Sequence, residues 1–268
     1  MAAGDVTATI TSGTAKRAAH FDGTADYIEI DDSLTLLGST TKGTIAFWAK
    51  PKDSTPAAIE RILAFGDTNA NERLEIILQT DGTLRAVCVA GAVGQWDVDT
   101  DAVAFASNTW VHIAATQDAV SPVLYVNGVA VASTFTDSGD TTAWFSQLAG
   151  LDNGRIGCNN FNSAGNASFT DGSVKDVLLY NRDLSAAEIL SIAQSAPPTT
   201  DGLIHRYELT TDFTDSVGSA DGTSVGATLV VDDGAIADAI AGQYVNNNSN
   251  YAIAAINGQV ICAAIEEL

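Results

Sequence analysis

Two dipeptides constrain this chain more than any other feature. Asp81-Gly82 separates the runs 73–79 and 83–90, and Asn127-Gly128 separates 123–126 from 129–131. A two-residue hairpin needs left-handed backbone at its tip, and Asn, Asp and Gly adopt it at least cost. The flanking runs must therefore be antiparallel neighbours. Residues 27–30, 44–49, 61–65, 110–116 and 174–180 have the same short, β-branched and aromatic character, and the first three end at Asp31-Asp32-Ser33, Lys50-Pro51 and Gly66-Asp67. Turn signals at such spacing predict an all-β protein, a two-sheet antiparallel jelly-roll sandwich. The acidic residues agree: 25 are Asp and 8 are Glu, and Asp favours turns where Glu favours helices.

One helix is predicted. Ser185 and Glu188 form a capping box, Leu184 can staple onto Ile189, and the helix runs to about Gln194 before Pro197-Pro198 stops it. The chain divides into an N-terminal arm (1–14), a main domain (15–196), a linker (197–202) and a smaller β-rich C-terminal segment (203–268). That last segment echoes the beginning, because residues 245–254 can be laid on 21–30 with an aromatic at the same offset (Tyr27, Tyr251).

The net charge of −21 argues against nucleic acid, whose phosphates call for a basic face, and against docking on anionic lipid. No apolar run is long enough to span a bilayer, and the start carries neither a basic n-region nor an apolar h-region. Cys88, Cys158 and Cys262 are odd in number and lack metal-cluster spacing. Buried free thiols are the expectation, consistent with synthesis in a reducing cytoplasm.

The ordered pieces Phe21-Asp-Gly-Thr-Ala-Asp-Tyr-Ile28, Thr44-Ile-Ala-Phe-Trp-Ala49, Trp110-Val-His-Ile-Ala114, Leu124-Tyr-Val-Asn-Gly128, Arg155-Ile-Gly157 and residues 171–185 resemble the laminin-G-like domains of the concanavalin-A-like lectin/glucanase superfamily. The likeness covers roughly residues 15–195. It implies two antiparallel sheets packed as a jelly roll, one of them concave, with loops at one rim. Trp48, Trp110 and Phe47 are expected to fill the space between the sheets. Residues 202–207 and 215–223 look like the segment that normally opens such a domain, so residues 203–268 are either permuted strands or a partial second copy. A truncated copy could not close a core alone and would pair with the first domain or with a neighbouring subunit.

The superfamily includes glucanases, whose Glu-x-Asp-x-x-Glu strand supplies two carboxylates. Here the nearest string, Glu29-Ile-Asp31-Asp-Ser-Leu34, has Leu34 in the acid's place, and Glu72 and Glu75 point to opposite faces of a strand. No enzyme is expected. His20, His112 and His205 lack zinc spacing, and His112 reads as a satisfied core histidine. The resemblance implies Ca²⁺ at the loop rim, with Asp67, Asn69, Asp152 and Asp171 as candidate ligands, although Asp and Asn also serve turns for local reasons. It also implies carbohydrate binding. Trp96 and Trp144, set among polar residues, are candidates to stack on a sugar, with Asn159 and Asn160 to orient hydroxyls.

The function expected is that of a non-enzymatic structural or adhesive protein of a large assembly. The leading form is a phage virion surface subunit, a head decoration or fibre protein that binds glycans. Its partners would be copies of itself, other structural subunits, and cell-surface or mucosal glycans. The alternative is a secreted lectin-like adhesin or carbohydrate-binding module.

Overall fold

A computed structural model describes residues 17–231 and the strands 251–256 and 259–264. The expected arm 1–14, residues 232–250 and the side chain of Cys262 lie outside the described residues. The first strands are β1 (Arg17–Asp22), β2 (Tyr27–Glu29), β3 (Gly43–Pro51), β4 (Glu60–Gly66), β5 (Arg73–Leu78), β6 (Leu84–Ala90) and β7 (Val93–Thr100). They are followed by β8 (Val111–Gln117), β9 (Pro122–Val126), β10 (Val129–Ala130), β11 (Ser133–Asp137), β12 (Asn153–Ile156), β13 (Asn159–Asn160) and β14 (Asn166–Ala167). The last are β15 (Asp171–Tyr180), β16 (Leu203–Tyr207), β17 (Thr223–Val225), β18 (Thr228–Val231), β19 (Tyr251–Ile256) and β20 (Gln259–Ala264). A one-turn helix α1 (Leu34–Leu37) precedes β3, and α2 (Ala186–Ala193) follows β15.

Two large antiparallel sheets form a sandwich. The first runs β10-β9-β8-β3-β15-β1-β18, with β16 on the C-terminal half of β15; the second runs β11-β7-β6-β5-β4-β12-β2-β17. Both sequence-marked hairpins form. Gly82 (φ +84°) joins β5 to β6, and Asn127 (φ +49°) and Gly128 (φ +83°) join β9 to β10. Gly128 is doubly required, because a Cβ there would meet Leu190 Cα and Ala193 Cβ of α2 at 2.9 Å. The capping box of α2 is present, with Glu188 N–H donating to Ser185 Oγ, and Arg182 Nη2 donates to Glu188 Oε1 at 2.6 Å.

The core between the sheets follows the period of two. Phe21, Ile28, Phe47, Phe65, Ile76, Trp96 and Ile113 alternate inward along their strands. A second cluster, including Ala46, Ala114, Tyr125 and Tyr180, lies under Ile189 and Ile192 of α2 on the outer face of the first sheet.

The break expected at 197–202 does not separate two compact units, because residues 18–230 form one. Strand β16 pairs with β15, and β17 pairs with β2 through Ser224↔Ile28. Tyr207 is the anchor: it is fully buried in the core and its hydroxyl donates to Ala220 O at 2.8 Å. These strands cover sheet edges of the same chain, removing unpaired N–H and C=O groups. The other unit, which contains β19 and β20, shows an antiparallel pair with Tyr251 opposite Ala264.

Candidate functional site

The aromatic expectation is reversed. Trp96 and Trp144 are not stacking platforms: both are buried, they stack on each other at 6.4 Å, and Trp96 Nε1–H donates to Ala143 O at 2.8 Å. Trp96 lies in β7, a strand the sequence did not reveal, and its polar neighbour Asp97 marks the strand's other face. Of the aromatics expected inside, only Phe47 is. Trp48 and Trp110 are half-buried on the outer face of the first sheet, Trp48 edge-on to His112 at 5.3 Å and Trp110 under Lys175 Nζ at 4.0 Å. His112 is not a satisfied core histidine either, for both ring nitrogens are buried without a hydrogen-bond partner. Burial pushes its pKa down to about 4. Cys88 and Cys158 are buried free thiols, each pushed up by burial to about 12.

The outer face of the second sheet carries the charged chemistry. Register aligns Glu29, Arg155, Ala64, Glu75, Val87 and Asp97 in one row across it. Glu75 is buried and accepts from Arg61 Nε at 2.6 Å and Arg73 Nε at 3.0 Å. Arg155, also buried, bonds Asp31, reaches Glu29 at 3.5 Å and lies over the ring of Tyr27.

The hairpin β13–β14 rests on this face. A Cβ on Gly66 would come within 2.4 Å of Asn160 O, so the close approach needs glycine. Phe161 covers the guanidinium of Arg73 at 4.5 Å, and Arg61 bonds Ser168 Oγ. Asn162, Ser163 and Ser168 all hold left-handed φ. The hairpin also meets the turn after β4: Asn162 N–H donates to Asp67 O and Ser163 N–H to Thr68 O. The structure therefore gathers Asp67, Asn69, Asp152, Asn159 and Asn160 at one end of β4. It places Asp171 at the other end, where its N–H donates to Glu60.

Four side-chain oxygens in this assembly are buried with no hydrogen-bond partner: Oδ1 of Asn153, Asn159, Asn160 and Asn166. Asn160 and Asn166 are directly opposite in the ladder, so their side chains share a face. Tyr27 and Phe169, half-buried and 6.5 Å apart, add aromatic surface. Asn166 and Phe161 were missed as site residues, although the run Asn159-Asn-Phe-Asn162…Asn166 was legible as an amide cluster.

Of the four residues expected to hold Ca²⁺, Asp67, Asn69 and Asp152 lie together and Asp171 lies apart from them. Asp67 Oδ1 already accepts the N–H groups of Asn69 and Ala70, and Asp152 Oδ1 accepts Thr68 N–H, Thr68 Oγ1–H and Asn153 Nδ2–H. Burial alone would raise the Asp152 pKa, but the hydrogen bonds from Thr68 and Asn153 hold it below the usual carboxylate value. Each carboxylate keeps its Oδ2, and the unpartnered oxygens around them are neutral amides beside the guanidinium groups of Arg61 and Arg73. Among the described residues no three Asp, Glu, His or Cys side chains are grouped to hold a metal.

The family model of the concanavalin A-like lectin/glucanase superfamily, laminin-G type, matches residues 22–190. The chain belongs to that superfamily. No curated protein matches it. Among solved structures, this lectin-like chain is similar to the Ruminococcus gnavus IT-sialidase CBM40 bound to α2,3-sialyllactose, at 18% identity and TM-score 0.55 over 66% of this chain and 96% of that one. It is similar to the native heptameric SAP-like pentraxin of Limulus polyphemus, at 14% identity and TM-score 0.54 over 81% and 95%. A leech intramolecular trans-sialidase matches at 17% and 0.56, over 68% of this chain and 27% of that one. At these identities the likeness is one of fold.

Proposed function

We propose that this lectin-like protein binds carbohydrate without hydrolysing it, taking sugar hydroxyls on the β13–β14 hairpin. The observation that carries the reading is the pair of buried amide oxygens without donors at Asn160 and Asn166, which share one face of the hairpin. An acceptor left unmade costs about 1–3 kcal/mol, and a hydroxyl-bearing ligand recovers it. The half-buried rings of Tyr27 and Phe169 offer the apolar surface that a sugar's C–H face requires. The absence of hydrolysis is supported by Glu75, the buried carboxylate of this face, whose two oxygens are occupied by Arg61 and Arg73.

The proposal includes display as a repeated surface subunit, either on a phage-type particle or as a secreted adhesin. It is supported by the net charge of −21, which favours solubility at high copy number. Calcium is not part of it.

Glycan-array binding of the full chain beside Asn160→Ala/Asn166→Ala tests the site. Binding lost in the folded double variant is expected; binding that survives overturns it. Reducing-sugar release from a bound glycan would overturn the non-hydrolytic reading. Light scattering tests display, a defined oligomer being the expected result and a monomer at all concentrations the contrary one.

A further inference from the structure

The second compact unit is built from residues 1–17 and 231–268, the two stretches that flank the lectin-like unit. The chain enters the lectin-like unit at β1 and leaves it at β18, neighbouring strands of the first sheet. A unit whose two ends lie close together can be inserted into another without breaking it. The lectin-like unit is therefore carried as an insertion, and the flanking module has its own hairpin, β19–β20.

Register sorts that hairpin into two faces. Tyr251, Ile253 and Ala255 stand opposite Ala264, Cys262 and Val260 on one, and Ala252, Ala254 and Ile256 stand opposite Ala263, Ile261 and Gln259 on the other. A strand with one solvated face alternates apolar and polar residues, whereas here Gln259 is the one amide and neither face is polar. Two strands alone are marginally stable in water. Among the described residues, neither outer edge of the pair is hydrogen-bonded to a third strand. Both faces and both edges therefore call for cover.

The charge pattern says what covers them. Residues 239–265 hold no charged side chain, in a chain whose net charge is −21. Copies of this chain repel one another through most of their surface, and a neutral stretch is where they meet at least cost. A charged partner would find nothing to pair with there. A lipid surface would cover the apolar faces and leave the edge N–H and C=O groups unpaired. The same hairpin from another copy supplies both apolar cover and edge partners. We propose that β19–β20 is the surface through which copies of this chain associate, edge to edge. This surface deepens the repeated-subunit reading above, on which it rests.

Sedimentation of the full chain beside Ile253→Lys and Ile261→Lys tests this, since the two positions lie on opposite faces of the hairpin. The full chain is expected to form a defined oligomer. Each variant should fall to the mass of a single chain, with the melting transition of the lectin-like unit unchanged. Val129→Lys, at an exposed valine on the β10 edge of the first sheet, should leave the oligomer intact. Cross-linking makes the result independent of how the variants fold. A bismaleimide on the wild-type oligomer should join copies through Cys262, since Cys88 and Cys158 are buried, and Cys262→Ser should abolish the link. An oligomer that survives both isoleucine variants, that dissociates in Val129→Lys, or that gives no Cys262 link overturns the proposal while the repeated-subunit reading stands. A monomer at all concentrations overturns both.

Discussion

Asn160 and Asn166 face each other across the β13–β14 ladder, and the Oδ1 of each is buried with no donor. The fold bears this cost on a hairpin that also holds Asn162, Ser163 and Ser168 in left-handed backbone. Unsatisfied groups and strained backbone together are characteristic of ligand sites.

Replacing either asparagine should therefore separate binding from stability. Asn160→Ala and Asn166→Ala are expected to change unfolding free energy by less than about 1 kcal/mol, since no bond is lost, while glycan affinity falls tenfold or more. Urea denaturation beside calorimetric glycan titration checks this. A large stability loss would show that the amides serve the fold.

Trp96 makes the opposite test. Trp96→Ala should destabilise the domain by about 3–5 kcal/mol, because a buried indole stacked on Trp144 leaves a large cavity. Glycan affinity per folded molecule should not change. Loss of affinity at full foldedness would restore Trp96 as a contact residue.

Glu75 is the carboxylate between Arg61 and Arg73. Glu75→Gln leaves two mostly buried guanidinium groups without their shared charge and should cost about 3 kcal/mol. The same change should loosen the hairpin, because Arg61 and Arg73 hold Ser168 and Phe161. Hydrogen exchange of residues 159–168 reads this directly; unchanged protection there would contradict the linkage.

His112 predicts a pH dependence. Burial lowers its folded pKa from 6.5 to about 4, so between those values the unfolded chain binds the extra proton. The His112 contribution is then at its full value above pH 6.5 and is lost progressively as pH falls toward 4. Melting temperatures of the wild type should drop over that window relative to His112→Phe. An imidazole that NMR shows protonated at pH 5.5 in the folded state would contradict this.

Much of the architecture was readable from local signals. Asp81-Gly82 and Asn127-Gly128 fixed hairpins because their conformational preference is their own, and Ser185 with Glu188 capped α2 through atoms three residues apart. The polar stretch around Trp96 misled because a strand with one solvated face looks loop-like when its partner strands are unknown. Phe47 and Trp48 are equally apolar, and only the sheet's orientation decides which enters the core.

The sequence by itself determined the strand-rich class, the marked turns, the helix and the family, because each depends on residues near one another in the chain or on an ordered set of short segments. Tertiary structure alone decided the rest. It sent residues 203–231 back onto β15 and β2, buried Trp96 and Trp144, and turned Trp48 outward. It also brought Asn153, Asn160 and Asn166 to one end of β4 and Glu60 and Asp171 to the other. Those outcomes depend on register and on which sheet face meets its partner, quantities set by the burial of the whole apolar surface and by no local stretch of chain.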